Sequence, residues 1–507
     1  MLKWIVGSKV DHPLADAKQA RTLIAELPPN DSIKTLDEIT RWLESLIDVE
    51  GLKLDRMFEI IELLDSTAKN PQRKIVQDYL TMSRQQKFQE NKLWTSGFKF
   101  AKALGDAYLY CVRQHESGGA GAAAIRKQVP VIVARALRAH GLQEKWIMLR
   151  YGPFEPRLWS SVGELYRYAE KGGYATTELA IYPGLHGSGT VQQELLKIMM
   201  LWASSANGLA LVKQEVAERT VAFVASSFRL ERAPFPGALY CFDVTVDKAP
   251  IRLIGSAAPS TGDLRYFGPG DAAARIARAL PVLEKTGALP SDMNLGVSYP
   301  SDIVIAVLKH LGMYWAEKPP ARSSERRTAS ERITVVPGYF AMLDELERDQ
   351  SDALNFAETN AESWVVENVS DTGYGALIPT TTADWMRVGE LIGVQVEGST
   401  NWGSALIRRV TRDEHRQYHV GIEVISRAVH LVKITHSTSR EAESAVLLAG
   451  APDQNGEIGI IMRAGRFDTT GSIDLNVKDK PFVLVPSRLV DDGDDFDWAL
   501  YKVTRPT

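Results

Sequence analysis

The segment Arg322-Ser323-Ser324-Glu325-Arg326-Arg327 stands directly before a strand-like run, Ile333 to Val336. A guanidinium offers two parallel donors. They match a phosphate, or the O6/N7 edge of a guanine, and its flat face stacks on a purine. Further along, the apolar residues Trp364, Val365 and Val366 run into Asn368-Val369-Ser370-Asp371-Thr372-Gly373. Asn368 and Ser370 supply short hydrogen-bonding side chains, and Gly373 lets backbone or ligand approach closely. A mobile arm of arginines closing on such a face would suit a ligand with purine rings and phosphates. The arginine spacing can be read two ways. Arg322 and Arg326 form Arg-x-x-x-Arg, whereas Arg327 and Arg332 are one residue further apart. We expect the first pair to bind, with Arg327 assisting and Arg332 structural. Taken alone, Asn-x-Ser-x-x-Gly is also what a plain turn between strands looks like.

Other chemistry-bearing stretches are weaker. Gly184-Leu185-His186-Gly187-Ser188-Gly189-Thr190 departs from Gly-x-Ser-x-Gly, because His186 takes the first glycine position. Thr190 with Gln193 instead predicts a helix cap. Gly118 to Ala124 is a Gly-rich connection without the Lys-Ser/Thr of a phosphate loop. His415 and His419 fall on a predicted hairpin, not one helix face, and Asp491 to Asp497 lacks the spacing of a calcium loop. No catalytic residue and no metal site is assigned.

The arginine cluster, the Asn-x-Ser-x-x-Gly motif and three following strands occur in the order found in PilZ domains, bacterial receptors for cyclic di-GMP. Val388 to Val396 resembles that family's central strand, Asn401 to Val410 the next, and Tyr418 to Ile425 the closing one. The resemblance implies an antiparallel β-barrel. It implies cyclic di-GMP as ligand, bound by Arg322, Arg326, Arg327, Asn368, Ser370 and Gly373, with no cofactor. Asn368 replaces the more usual Asp and keeps a short acceptor. The resemblance also implies a non-enzymatic relay whose output is protein–protein contact, in motility, pili or biofilm and envelope control. The alternative is a scaffold with a degenerate barrel that binds nothing. The acidic stretch between first strand and motif (Asp344, Glu345, Glu347, Asp349, Asp352) reads as a solvated insertion.

The elements that position these residues follow from length and pattern. At 507 residues the chain has room for several domains. We expect a multidomain α+β protein. An α-helical domain spans 1–212, a mixed α/β connecting domain 213–318, the PilZ-like barrel 319–438, and a small all-β piece 439–507. Thr35 to Glu38 reads as a capping box, Pro71 as a helix start, Gly97 as a break, and Val221 to Val224 as a strand. A net charge of −4 argues against binding a nucleic-acid polymer. Neither cysteine has a near partner, and no run is long enough to span a membrane, so a reducing cytoplasm is expected. The protein partner, unidentified, is expected on the helical domain.

Overall fold

A computed structural model describes residues 12–82, 87–184, 187–253, 262–318, 326–350, 361–378, 385–415, 417–437, 440–450, 456–477 and 480–504. The chain forms two compact units, residues 1–206 with 211–320, and residues 207–210 with 321–507.

The first unit is mainly helical. It contains α1 (Ala17–Ala25), α2 (Ser32–Ile47), α3 (Leu54–Thr81), α4 (Lys87–Glu116), α5 (Ala122–Ile125), α6 (Val129–Met148) and α7 (Pro156–Lys171). A short pair, β1 (Leu179–Ala180) and β2 (Ser188–Gly189), precedes α8 (Val191–Ala203) and α9 (Leu211–Val224). A small sheet follows, ordered β3 (Arg229–Glu231), β6 (Leu264–Gly268), β4 (Tyr240–Asp243), β5 (Ile251–Arg252), and then α10 (Ala272–Thr286) and α11 (Ser301–Tyr314). Among the described residues no helix is long and apolar enough to cross a membrane.

Four local expectations change. Helix α2 is capped by Asp31, whose carboxylate accepts from Lys34 N at 3.0 Å; Thr35 lies inside, donating to the Pro28 carbonyl at 2.9 Å. Pro71 sits within α3, because Leu64, Ala68, Ile75 and Tyr79 bury one continuous face across it. That burial outweighs the roughly 3 kcal/mol a mid-helix proline costs. Gly97 does not break α4. A Cβ there would fall 2.2 Å from the Trp146 ring, so the glycine admits the α6 indole. Val221 and Val224 belong to α9, their burial following a helical period. The Thr190–Gln193 capping box forms as expected.

The second unit holds two closed antiparallel barrels of six strands each. The first comprises β7 (Arg327–Pro337), β8 (Glu362–Ser370), β9 (Gly373–Ile378), β10 (Leu391–Val396), β11 (Gly403–Arg412) and β12 (Tyr418–Ser426), closed in the order 7-8-9-12-11-10. The second comprises β13 (Val429–His436), β14 (Ala442–Leu448), β15 (Glu457–Arg463), β16 (Ile473–Val477), β17 (Lys480–Asp492) and β18 (Phe496–Thr504), closed in the order 13-14-15-18-17-16. Counted from its own first strand, each ring runs first, second, third, sixth, fifth, fourth.

Between β7 and β8 lies α12 (Gly338–Gln350), where the sequence suggested a solvated insertion. Tyr339, Met342 and Leu346 are buried at helical spacing, while Asp344, Glu347 and Asp349 face solvent. The carboxylates occupy one side of an amphipathic helix and hid its apolar side. The buried side joins a core with Leu391 and Leu406 of the first barrel and Val446, Ile461 and Phe496 of the second. Tyr339 also donates its hydroxyl to the Ser444 carbonyl at 2.6 Å and its amide to Asp495 Oδ2 at 2.8 Å.

Candidate functional site

The motif residues sit on the hairpin between β8 and β9. Ser370 pairs with Gly373 across a two-residue turn, and the Ser370 hydroxyl donates to the Gly373 carbonyl at 3.2 Å. The turn is held to β12 by Val424 N donating to the Thr372 carbonyl at 2.9 Å. A Cβ on Gly373 would lie 1.9 Å from the Ile422 carbonyl oxygen, so β9 and β12 approach more closely there than any side chain allows.

The first strand begins at Arg327 rather than at Ile333, and this brings the arginine-bearing segment to the hairpin. Arg327 is opposite Val369 and Thr328 opposite Asn368. Arg326 and Arg327 are exposed. Arg332 lies within β7 and donates to Ser363 Oγ at 3.2 Å across to β8. Arg322 lies outside the described residues.

Asn368 opens a row that runs across the barrel. Register places Thr328, Asn368, Gly375, Gly421 and Arg409 side by side on β7, β8, β9, β12 and β11. The Asn368 amide lies over Gly375, 2.6 Å from where a Cβ would be, and its buried Oδ1 has no hydrogen-bond partner. Gly421 leaves the next strand without a side chain. On one side of the row His419 contacts Glu367 and Asp413, each at 3.3 Å. The Gln417 amide, donating to Asp413, holds that carboxyl below its ordinary value. On the other side Arg408 bridges Glu423 at 2.6 Å and Asp491 of the second barrel at 2.8 Å. The result is a polar patch, open over Gly421, with an unpaired acceptor on one side and a guanidinium on the other.

Comparison with known families bears on this patch. Residues 18–234 match the family model described as "Cyclic-di-GMP receptor FimW, N-terminal domain", and residues 341–430 match "Cyclic-di-GMP receptor FimW, middle PilZ domain". Together these ranges take in more than half of the chain. Each range is thereby similar to one part of the FimW family. The chain's first barrel is a PilZ domain, as the motif order implied. No curated protein matches the chain. The FimW middle-domain match stops at residue 430, so nearly all of the second barrel lies beyond it.

The part of the chain matched by the FimW N-terminal domain contributes most of the lining of a cavity of about 590 Å³, whose walls include Asp65, Lys69, Arg138, Tyr182 and Glu194. Asp65 accepts from the hydroxyls of Tyr108 and Tyr182, each at 2.7 Å. Ser188 does not line it, and Leu185 and His186 lie outside the described residues. Among the described residues no His, Cys, Asp or Glu group is placed to hold a metal ion. Gly375, Gly421 and Arg409 are the site features that the sequence reading missed. Their signal lies in strand register, which a linear motif does not carry.

Proposed function

We propose that this chain is a cyclic di-GMP effector whose ligand binds the outer face of the first barrel. The carrying observation is the register of β7 on β8, which sets Arg327 and Thr328 against Val369 and Asn368. The segment holding Arg322 and Arg326 therefore leads into the motif hairpin. Similarity to two domain models of a cyclic di-GMP receptor supports the same reading. Arg322 and Arg326 grip guanine edges and phosphates, with Arg327 assisting. Asn368 and Ser370 present polar groups, and Gly373 keeps the hairpin tight against β12. No step of bond making is required. The output is a protein–protein contact made through the helical unit in the cytoplasm, and engagement of the ligand by the arginines is the switching event.

Calorimetric titration of cyclic di-GMP into the intact protein and into Arg326→Ala tests this. The expected result is saturable binding, weakened in the variant by about 1–3 kcal/mol, the value of a bidentate guanine contact. Absence of binding to the wild-type protein would sink the reading and leave the barrel a scaffold.

A further inference from the structure

A row of paired residues runs beyond the recognised motif. Arg409 is exposed, and among the described residues it has no ion pair, hydrogen bond or ring contact, unlike its neighbour Arg408. A register shift between Ile407 and Arg409 breaks the alternation of β11 and leaves both arginines outside the barrel. Arg409 then pairs with Gly421, which pairs with Gly375, which pairs with Asn368. Three strand spacings, about 14 Å, separate the backbones of Asn368 and Arg409. The strands between carry only glycine in this row. Asn368 leans over Gly375 from one side, and a side chain of arginine length reaches over Gly421 from the other.

We propose that Arg409 is a specificity-determining ligand contact that reads the O6/N7 edge of one guanine, while the Asn368 carbonyl oxygen accepts from the same base. This rests on the receptor reading above. The chemistry follows from the donor and acceptor pattern. Guanine carries donors at N1 and N2 and acceptors at O6 and N7, so a flat base over Gly421 needs an acceptor on one side and a forked donor on the other. The unpaired Oδ1 of Asn368 and the unpaired guanidinium of Arg409 supply them in that order. Adenine presents N6–H₂ where guanine has O6, which sets a donor against the Arg409 fork. The site thereby selects guanine, and it does so independently of the arginine arm.

The test is titration of cyclic di-GMP, and of its analogue with N7 replaced by carbon, into wild type, Arg409→Ala, Arg409→Lys and Arg326→Ala. Arg409→Ala should weaken cyclic di-GMP about 5- to 150-fold, the equivalent of one bidentate base contact. Arg409→Lys should recover little of that, because an ammonium lacks the planar fork. The affinity penalty of the N7 analogue should be smaller in Arg409→Ala than in wild type. An Arg409→Ala affinity within twofold of wild type, with Arg326→Ala still impaired, overturns the proposal and leaves the receptor reading standing. Full rescue by lysine, or an equal analogue penalty in both proteins, assigns Arg409 to a phosphate and overturns base reading. No binding to wild type overturns both.

Discussion

A single methyl group decides the geometry at Gly373. Its Cβ would overlap the Ile422 carbonyl oxygen, a backbone atom that cannot rotate away. Gly373→Ala must therefore push β9 off β12 and disturb the Val424–Thr372 hydrogen bond that anchors the hairpin. We expect a loss of about 1–3 kcal/mol, typical of overpacking, read as a lower midpoint in chemical denaturation. Gly421 differs, since its added Cβ would meet Arg409 Cβ at 3.3 Å, a contact that a small shift relieves. In the helical unit the informative residue is Glu144. It is fully buried, both carboxylate oxygens lack hydrogen-bond partners, and burial, with Glu218 nearby, pushes its carboxyl well above the ordinary 4.5. Its native pKa exceeds its unfolded one, so its contribution is fully present below about pH 4.5 and is lost as pH rises toward the native value. Between those values the unfolded chain releases a proton that the folded chain retains. Glu144→Gln removes this titration. The stability of wild type relative to the variant should fall with rising pH, at most by about 1.4 kcal/mol per pH unit. Urea unfolding of both proteins from pH 4.5 to 8 measures it, and a flat difference would refute it.

Helix α12 shows how an element was misread and what it does. The sequence offered a run of carboxylates, and their density concealed the spacing of Tyr339, Met342 and Leu346. Strands were easier. Val388 to Val396, Asn401 to Val410 and Tyr418 to Ile425, placed by their resemblance to PilZ strands, overlap β10, β11 and β12. The Asn-x-Ser-x-x-Gly hairpin was equally plain, because a turn that tight needs particular residues. The row ending at Arg409 was not legible. It depends on irregular pairings in β8 and β11, and strict alternation would put Arg408 and Arg409 on opposite faces. Helix ends failed where a side chain had two possible uses: Thr35 serves a carbonyl rather than an amide, and Pro71 is overruled by burial on both sides of it. If α12 is a core element, Met342→Ala should cost about 2–5 kcal/mol, the range for a deleted core side chain. An insertion at the surface would lose under about 0.5 kcal/mol. Denaturant titration distinguishes the two.

At the scale of the second unit, one connectivity is used twice. Both barrels close first-second-third-sixth-fifth-fourth, yet the second carries no Asn-x-Ser-x-x-Gly at its corresponding hairpin, between β14 and β15. The second barrel thus repeats the connectivity of the first without its motif. Several links join the barrels among the described residues, the Tyr339 hydrogen bonds to Ser444 and Asp495 included. One is the apolar core around α12, in which Leu391 and Leu406 meet Val446, Ile461 and Phe496. Another is Arg408, which holds Glu423 beside the polar patch and Asp491 on β17. The ion pairs are partly exposed and worth at most about 1 kcal/mol each. The apolar core must therefore carry the coupling, since each methylene it buries contributes about 0.8 kcal/mol. A cavity made on the second barrel's side should then be felt in the first. Val446→Ala should destabilise by about 1–3 kcal/mol. It should also speed amide hydrogen exchange in β10 and β11 as well as in β13, β14 and β15. Faster exchange confined to β13–β18 would instead show that the barrels open independently.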